Sequence, residues 1–296
     1  MAAYRFCRSD DIGLLVDALN RCWAPYFPDE PRMTPAAFKR SIRDLQVWCS
    51  SCMVAFSGSD AIGVLIGAKR PSGTLVHKIA VHPDHRRQGH GRHLLASLGS
   101  KLAILGPPRI VAEVPESLAP ACELFSASGY VQEALLTDCV FHPTAHTTRR
   151  GNPGQCADND PRELGFVIPV TVDDLVANGL LGPADPQVCW ERSAETLTAR
   201  KDDLTGLAVA SDERIEAYLL YADRGAEGTE IVSLRSCIED GGGRLTQLLS
   251  RLHAQGMSAV RFPKVHPAEI SKECLENLGF RPVGGHLLYA ATARSA

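Results

Sequence analysis

Two stretches of this 296-residue chain read as copies of one another, and that limits the fold more than any other feature. In the first half, an apolar run at 52–56, a polar turn at 57–60 and a second apolar run at 61–69 spell a β-hairpin. In the second half, runs at 207–210 and 215–221 flank a turn at 211–214. A strand follows in each, at 74–81 and 229–236, then a glycine-rich turn, then a helix. Each half closes on a glycine and an aromatic, Gly129-Tyr130 and Gly279-Phe280. Ile62 matches Ile215 at an offset of 153 residues, and Gly129 matches Gly279 at 150. A near-constant offset over five elements predicts two tandem copies of one fold.

The first copy opens with a strand at 4–8. Ser9 then suits a helix N-cap, with Asp10 and Asp11 in the first turn, where carboxylates complement the helix dipole. Ile12, Leu15, Leu19 and Cys22 form one helical stripe, and Pro25 ends that helix. A second helix at 34–45 has Thr34 as its cap before Pro35. Each copy is therefore expected to be mixed α/β, an α+β arrangement on a mixed sheet with a strand–helix–strand crossover. Residues 142–162 are polar, aperiodic and rich in Pro, Gly, Thr and Asn, which predicts a linker. The expected division is a domain at 1–141, the linker, and a domain at 163–296.

Composition removes several classes of function. Apolar residues are 45% of the chain, enough for a core in each half. A net charge of -3 without long like-charge runs argues against an electrostatic nucleic-acid binder. No apolar stretch is long enough to span a bilayer, and the first residues turn polar at once, unlike a signal peptide. A cytoplasmic protein with no membrane partner is expected. The ten cysteines mostly sit in apolar stretches as small hydrophobes. Cys49-x-x-Cys52 lacks the second ligand pair of a zinc site, so no metal is expected.

The chemistry concentrates at 74–98. A strand ends near Val81 and Pro83 stops it; Arg86, Arg87, Gln88, Gly89, His90 and Gly91 make a tight basic turn. A helix follows, burying Leu94, Leu95, Leu98 and Leu102. Such a turn is an anion cradle. Glycine lets the backbone approach a phosphate, the first-turn N–H groups point at it, and arginines add charge-assisted contacts. A P-loop would need Gly-Lys-Ser/Thr at the helix start, which is absent.

These residues resemble the signature of the GNAT superfamily of acyl-CoA-dependent N-acyltransferases. The pattern stands as Arg86-x-x-Gly89-x-Gly91, preceded by Val81-His82-Pro83. The resemblance covers 3–141 well and 163–290 loosely. It implies acetyl-CoA as co-substrate. The turn at Arg86, Arg87, Gln88, Gly89, His90, Gly91 and Arg92 would hold the pyrophosphate. The backbone of Ile79, Ala80 and Val81 would pair with the pantetheine arm and polarise the thioester carbonyl. An amine would then attack directly, leaving the protein to orient the reactants and move protons.

Two bases are candidates. The segment from Glu113 to Tyr130 resembles the ribosomal-protein alanine N-acetyltransferase subgroup, in which Glu113 falls at the general base. Phe125 stands where that pattern has a proton-donating tyrosine, and Leu118 where it has an asparagine on CoA. Leu75 stands where many family members carry a glutamate base. His77 is the second candidate: by period two it shares a face with Leu75, Ile79 and Val81, and histidine titrates near neutrality. Trp23, Tyr26 and Phe27, in or beside the segment 24–33, are expected to wall the acceptor.

The matching turn of the second copy, 238–244, keeps its glycines but replaces the arginines with Glu239 and Asp240. A micromolar ligand needs roughly 8 kcal/mol, and each charge-assisted hydrogen bond contributes about 1.5–3 kcal/mol. This copy is expected to be degenerate, serving to wall the acceptor site, to form a homodimer or to stabilise the first. The leading expectation is N-acetyl transfer to a primary amine of a small molecule. A non-catalytic acyl-CoA-binding regulator, a protein N-terminal acetyltransferase, and transfer to a hydroxyl or thiol stay open.

Overall fold

The computed structural model describes residues 2–141, 165–182, 188–225, 228–257 and 259–294; the expected linker lies outside them. The chain forms two compact units, Met1–Ala134 with His286–Ala296, and Leu135–Gly285.

The first unit runs β1 (Ala2–Phe6), α1 (Ile12–Cys22), α2 (Pro35–Leu45), β2 (Met53–Ser57), β3 (Asp60–Arg70), β4 (Gly73–Val81), α3 (His90–Leu105), β5 (Arg109–Pro115) and α4 (Ala119–Ala127). Strands β1 to β4 pair antiparallel in sequence order, and β4 pairs β5 in parallel across the α3 crossover. Thr34 caps α2 as its sequence suggests, accepting from the Ala37 N–H at 3.1 Å. Ser9 does not cap α1. The cap position is Asp11, whose carboxylate instead accepts the Arg8 N–H and an Arg5 N–H, each at 2.7 Å. These bonds hold Asp11 below the usual carboxylate range. One face of the sheet buries Leu94, Leu98 and Leu102 of α3 and Phe125 of α4 against Ile110, Ala112 and Val114 of β5.

Strand β6 (Val131–Phe141) follows, and the order then repeats with β7 (Phe166–Val170), α5 (Val172–Ala177), α6 (Ala194–Ala199), β8 (Thr205–Ala210), β9 (Ile215–Asp223), β10 (Thr229–Ser236), α7 (Gly243–Ala254), β11 (Val260–Val265) and α8 (Lys272–Asn277), closing on β12 (Phe280–Thr292). Strands β7 to β10 pair antiparallel, and β10 pairs β11 in parallel. Leu245, Leu248, Leu249 and Leu252 of α7 pack on this sheet.

The closing strands part from the division read in the sequence. Strand β12 pairs antiparallel with β5 of the first unit, from His286 opposite Pro115 to Thr292 opposite Arg109. Strand β6 pairs antiparallel with β11 of the second unit, with Phe141 opposite Val260. Each copy thus gives its last strand to the other copy's unit. Tyr289 stacks on Phe125 at 5.8 Å and 17°, inside the first core. An edge partner from a distant segment leaves no periodicity to read.

Candidate active site

Strand β4 is irregular where chemistry was expected. Gly67 faces Val76 and Ile66 faces Lys78, so His77 is the extra residue of a β-bulge. The bulge overturns the period-two reading of its face. Val76 and Ile79, three apart, both pack toward the core under α3, and Leu75 is not in that cluster. Beyond the bulge β4 also leaves its neighbour. The β4–β5 register holds Thr74 with Ile110 and Leu75 with Val111, then stops. The outer edge of β4 from Val76 to Val81 is thereby opened between two strands.

The turn after β4 has the shape expected of a cradle. The His82 N–H bonds the Ile62 carbonyl at 2.8 Å, and a short 3-10 turn covers Pro83–His85. Arg87 and Gly89 take left-handed backbone, at φ 60° and 85°, and α3 starts at His90. The first-turn N–H groups of α3 have no acceptor within the helix. At Gly89 a Cβ would meet nothing within 4 Å, so the glycine answers the backbone angle and its surroundings are open. At Gly91 a Cβ would lie 3.0 Å from Leu124, so this glycine lets α4 approach α3. The His90 Nδ1 shares a 2.6 Å hydrogen bond with the Tyr4 hydroxyl. Burial holds His90 below its usual pKa, with His85 and His93 adding to the effect.

The splay and the turn open into one cleft of about 770 Å³. It brings together every residue singled out for acyl-CoA or proton transfer: Ile79, Ala80 and Val81, the turn from Arg86 to Arg92, and both base candidates, His77 and Glu113. Glu113 is half-buried on β5, opposite Leu288 of β12. Trp23, Tyr26 and Phe27 line the same cleft. Phe125 is 2% exposed and meets Tyr130 edge-on at 5.1 Å. Burial pushes the Tyr130 phenol far up, and its buried hydroxyl has no hydrogen-bond partner among the described residues. Tyr130 is a core residue rather than a proton donor. Lys78 and Glu30, which sequence reasoning passed over, also matter here. An isolated lysine in an apolar strand was their one available signal.

Residues 15–130 match the model of the acetyltransferase (GNAT) family. The first unit is a GNAT acetyltransferase domain. The chain is accordingly an acyltransferase. No curated protein matches it. Among solved structures it is similar to a tandem GNAT protein from the clavulanic acid biosynthesis pathway, with a TM-score of 0.62 at 18% identity over 100% of both chains. It is also similar to the GCN5-related N-acetyltransferase from Sphaerobacter thermophilus, with a TM-score of 0.63 at 13% identity over 99% of this chain and 96% of that one. A third, from Anabaena variabilis, gives 0.60 at 12% identity over 99% of this chain and 73% of that one. These likenesses establish the fold, two GNAT-type units in tandem.

The second GNAT-type unit keeps the framework. Its β10–β11 register stops after Thr229–Val260 and Glu230–Arg261, and β10 bulges at Val232. A cleft of about 870 Å³ opens there. Side chains of this unit engage its own matching turn and splayed strand. Asp240 accepts the N–H groups of Gly242 at 3.0 Å and Arg244 at 2.6 Å, so a carboxylate already sits on the start of α7. Arg192, with 3% of its side chain exposed, pairs with Glu269 at 2.8 Å. It also donates to the Pro263 and Lys264 carbonyls, beyond the point where β11 leaves β10. Among the described residues no group of three or more His, Cys, Asp or Glu gathers as for a metal, and no helix is long and apolar enough to cross a membrane.

Proposed function

We propose that the first unit binds acetyl-CoA and transfers its acetyl group to a primary amine of a small molecule in the cytoplasm, by direct attack of the amine on the thioester. The carrying observation is the parting of β4 from β5 after Leu75–Val111, which leaves the 79–81 backbone open between the cradle and both base candidates. The fit is chemical as well as spatial. An anion meets unpaired helix N–H groups, Arg86 and Arg87 at one end, and an extended arm meets an open strand edge at the other. The N–H groups of that edge would polarise the thioester carbonyl. His77 or Glu113 would take the proton from the ammonium of the acceptor. With Phe125 in place of a phenol, water would protonate the departing thiolate.

Acetyl-CoA titrated calorimetrically into the full chain should show one site per chain. In the second unit Asp240 takes up N–H groups at the start of α7 and Arg192 is bonded to β11 carbonyls, which favours the first unit alone as the site. Two sites would refute that reading of the second unit, and none would refute the proposed function. A panel of aminosugars, polyamines and amino acids, followed by thiol release, then tests the acceptor class. E113Q and H77A separate the bases. The true base should lose about 10²- to 10⁴-fold in kcat with acetyl-CoA affinity unchanged. The other variant should stay within tenfold, and full activity in both would assign the proton to water.

A further inference from the structure

The segment between α1 and α2 is fastened at three points. At its base the Asn20 side chain holds Met33 both ways, donating to its carbonyl at 2.9 Å and accepting its N–H at 2.8 Å. Nearer the turn, the Tyr26 hydroxyl donates to the Val81 carbonyl at 2.6 Å, and the Arg86 guanidinium lies 5.6 Å from the Tyr26 ring. The third tie is Lys78. Its ammonium stands 3.9 Å from the centre of the Trp23 ring and 3.6 Å from a Glu30 carboxylate oxygen. That same oxygen accepts the Trp23 indole N–H at 3.0 Å, and Trp23 stacks on Phe27 at 4.4 Å. Only 18% of the Lys78 side chain is exposed. An ammonium so far withdrawn from water needs compensation, and here an aromatic face and a carboxylate provide it together.

We infer that Lys78 is a positioning residue for the acceptor: by clasping Trp23 and Glu30 it holds the aromatic wall on β4 and sets the shape of the amine site. The inference rests on the acyl-transfer reading above. Lys78 follows the His77 bulge and precedes Ile79, so the clasp fixes the wall relative to the backbone beside which the thioester would lie. Tyr26 ties the wall at the cofactor end of the strand, and Lys78 ties it at the amine end. Losing the second tie should therefore weaken the amine's hold and spare acetyl-CoA.

The test compares K78M, K78R and E30Q in the full chain. Methionine keeps length without charge. Arginine keeps the cation, stacks on indole and still reaches a carboxylate. Glu30 is 48% exposed, so E30Q removes its charge at a tolerant position. In K78M, amide hydrogen exchange over 24–33 should quicken at least tenfold. The KM of whichever panel amine the wild type acetylates should rise at least tenfold, with kcat within threefold and the acetyl-CoA Kd within twofold. E30Q should raise KM about threefold, and K78R should match the wild type. Unchanged exchange in K78M overturns the inference, as does an acetyl-CoA Kd that worsens in step with KM, or a K78R that fails like K78M. If no panel amine reacts, exchange and Kd decide it. A wild type that does not bind acetyl-CoA would refute the acyl-transfer reading instead, and the exchange result would still judge the clasp.

Discussion

The G89E variant should stay folded and lose acetyl-CoA. Gly89 sits at φ 85° at the start of α3, and a Cβ there meets nothing within 4 Å. The substitution therefore costs only left-handed strain, about 1–3 kcal/mol, against a domain stability of roughly 5–15 kcal/mol. Its carboxylate enters the cradle that the pyrophosphate needs. Displacing two charge-assisted hydrogen bonds is worth about 3–6 kcal/mol, a hundredfold or more in Kd. G89A is the control: it carries the same backbone strain without charge, and should lose stability while binding within about tenfold of the wild type. Calorimetry and thermal unfolding of both variants check the pair. Wild-type affinity in G89E would remove the cradle from the cofactor site.

A chain ended at Gly285 should lose acetyl-CoA binding as completely, although no residue of the cleft is deleted. The missing segment pairs with β5 along seven residues and brings Tyr289 into the first core, where it is 4% exposed. Without it β5 becomes an open edge with Glu113 on it. Burying one large aromatic side chain is worth about 3–5 kcal/mol by truncation data, a large share of a small domain's stability. Y289A in the full chain should show part of this effect, lowering the unfolding midpoint of the first unit, and Y289F should be nearly silent. A shortened chain that binds acetyl-CoA like the wild type would show that β12 is dispensable to the site.

What could be read in the sequence was local. The Thr34 cap, the α3 stripe and the basic glycine turn each lie within one or two helical turns, and each depends on residue type alone. The cleft followed, because strand, turn and helix are contiguous and carry Ile79 to Arg92 in one piece. Glu113 and His77 reached the same cleft through family resemblance and position. The failures are long-range or conformational. A bulge has no compositional mark, so alternation wrongly put Leu75 and Ile79 on one face. Asp11 found Arg5 and the Arg8 N–H, and Ser9 was left without the cap role. Lys78 meets Glu30 across 48 residues, and a lone lysine in an apolar strand does not say which carboxylate it will find. In the second copy the lost arginines were visible, but Asp240 closing on its own helix and Arg192 crossing to β11 needed coordinates.

The exchanged strands also order events in time. Glu113 and its register partner Leu288 are 175 residues apart. At roughly 5–20 residues per second, a ribosome takes on the order of ten to thirty-five seconds to travel between them. Over that interval the nascent first half has its hairpins, its crossover helix and its basic turn, yet β5 has an unpaired edge of the kind that invites aggregation. Contacts of such separation also close slowly in a free chain. The half of the molecule made first is thus the half completed last, and the proposed acetyl-CoA cleft would not be finished until translation has run through the entire second copy.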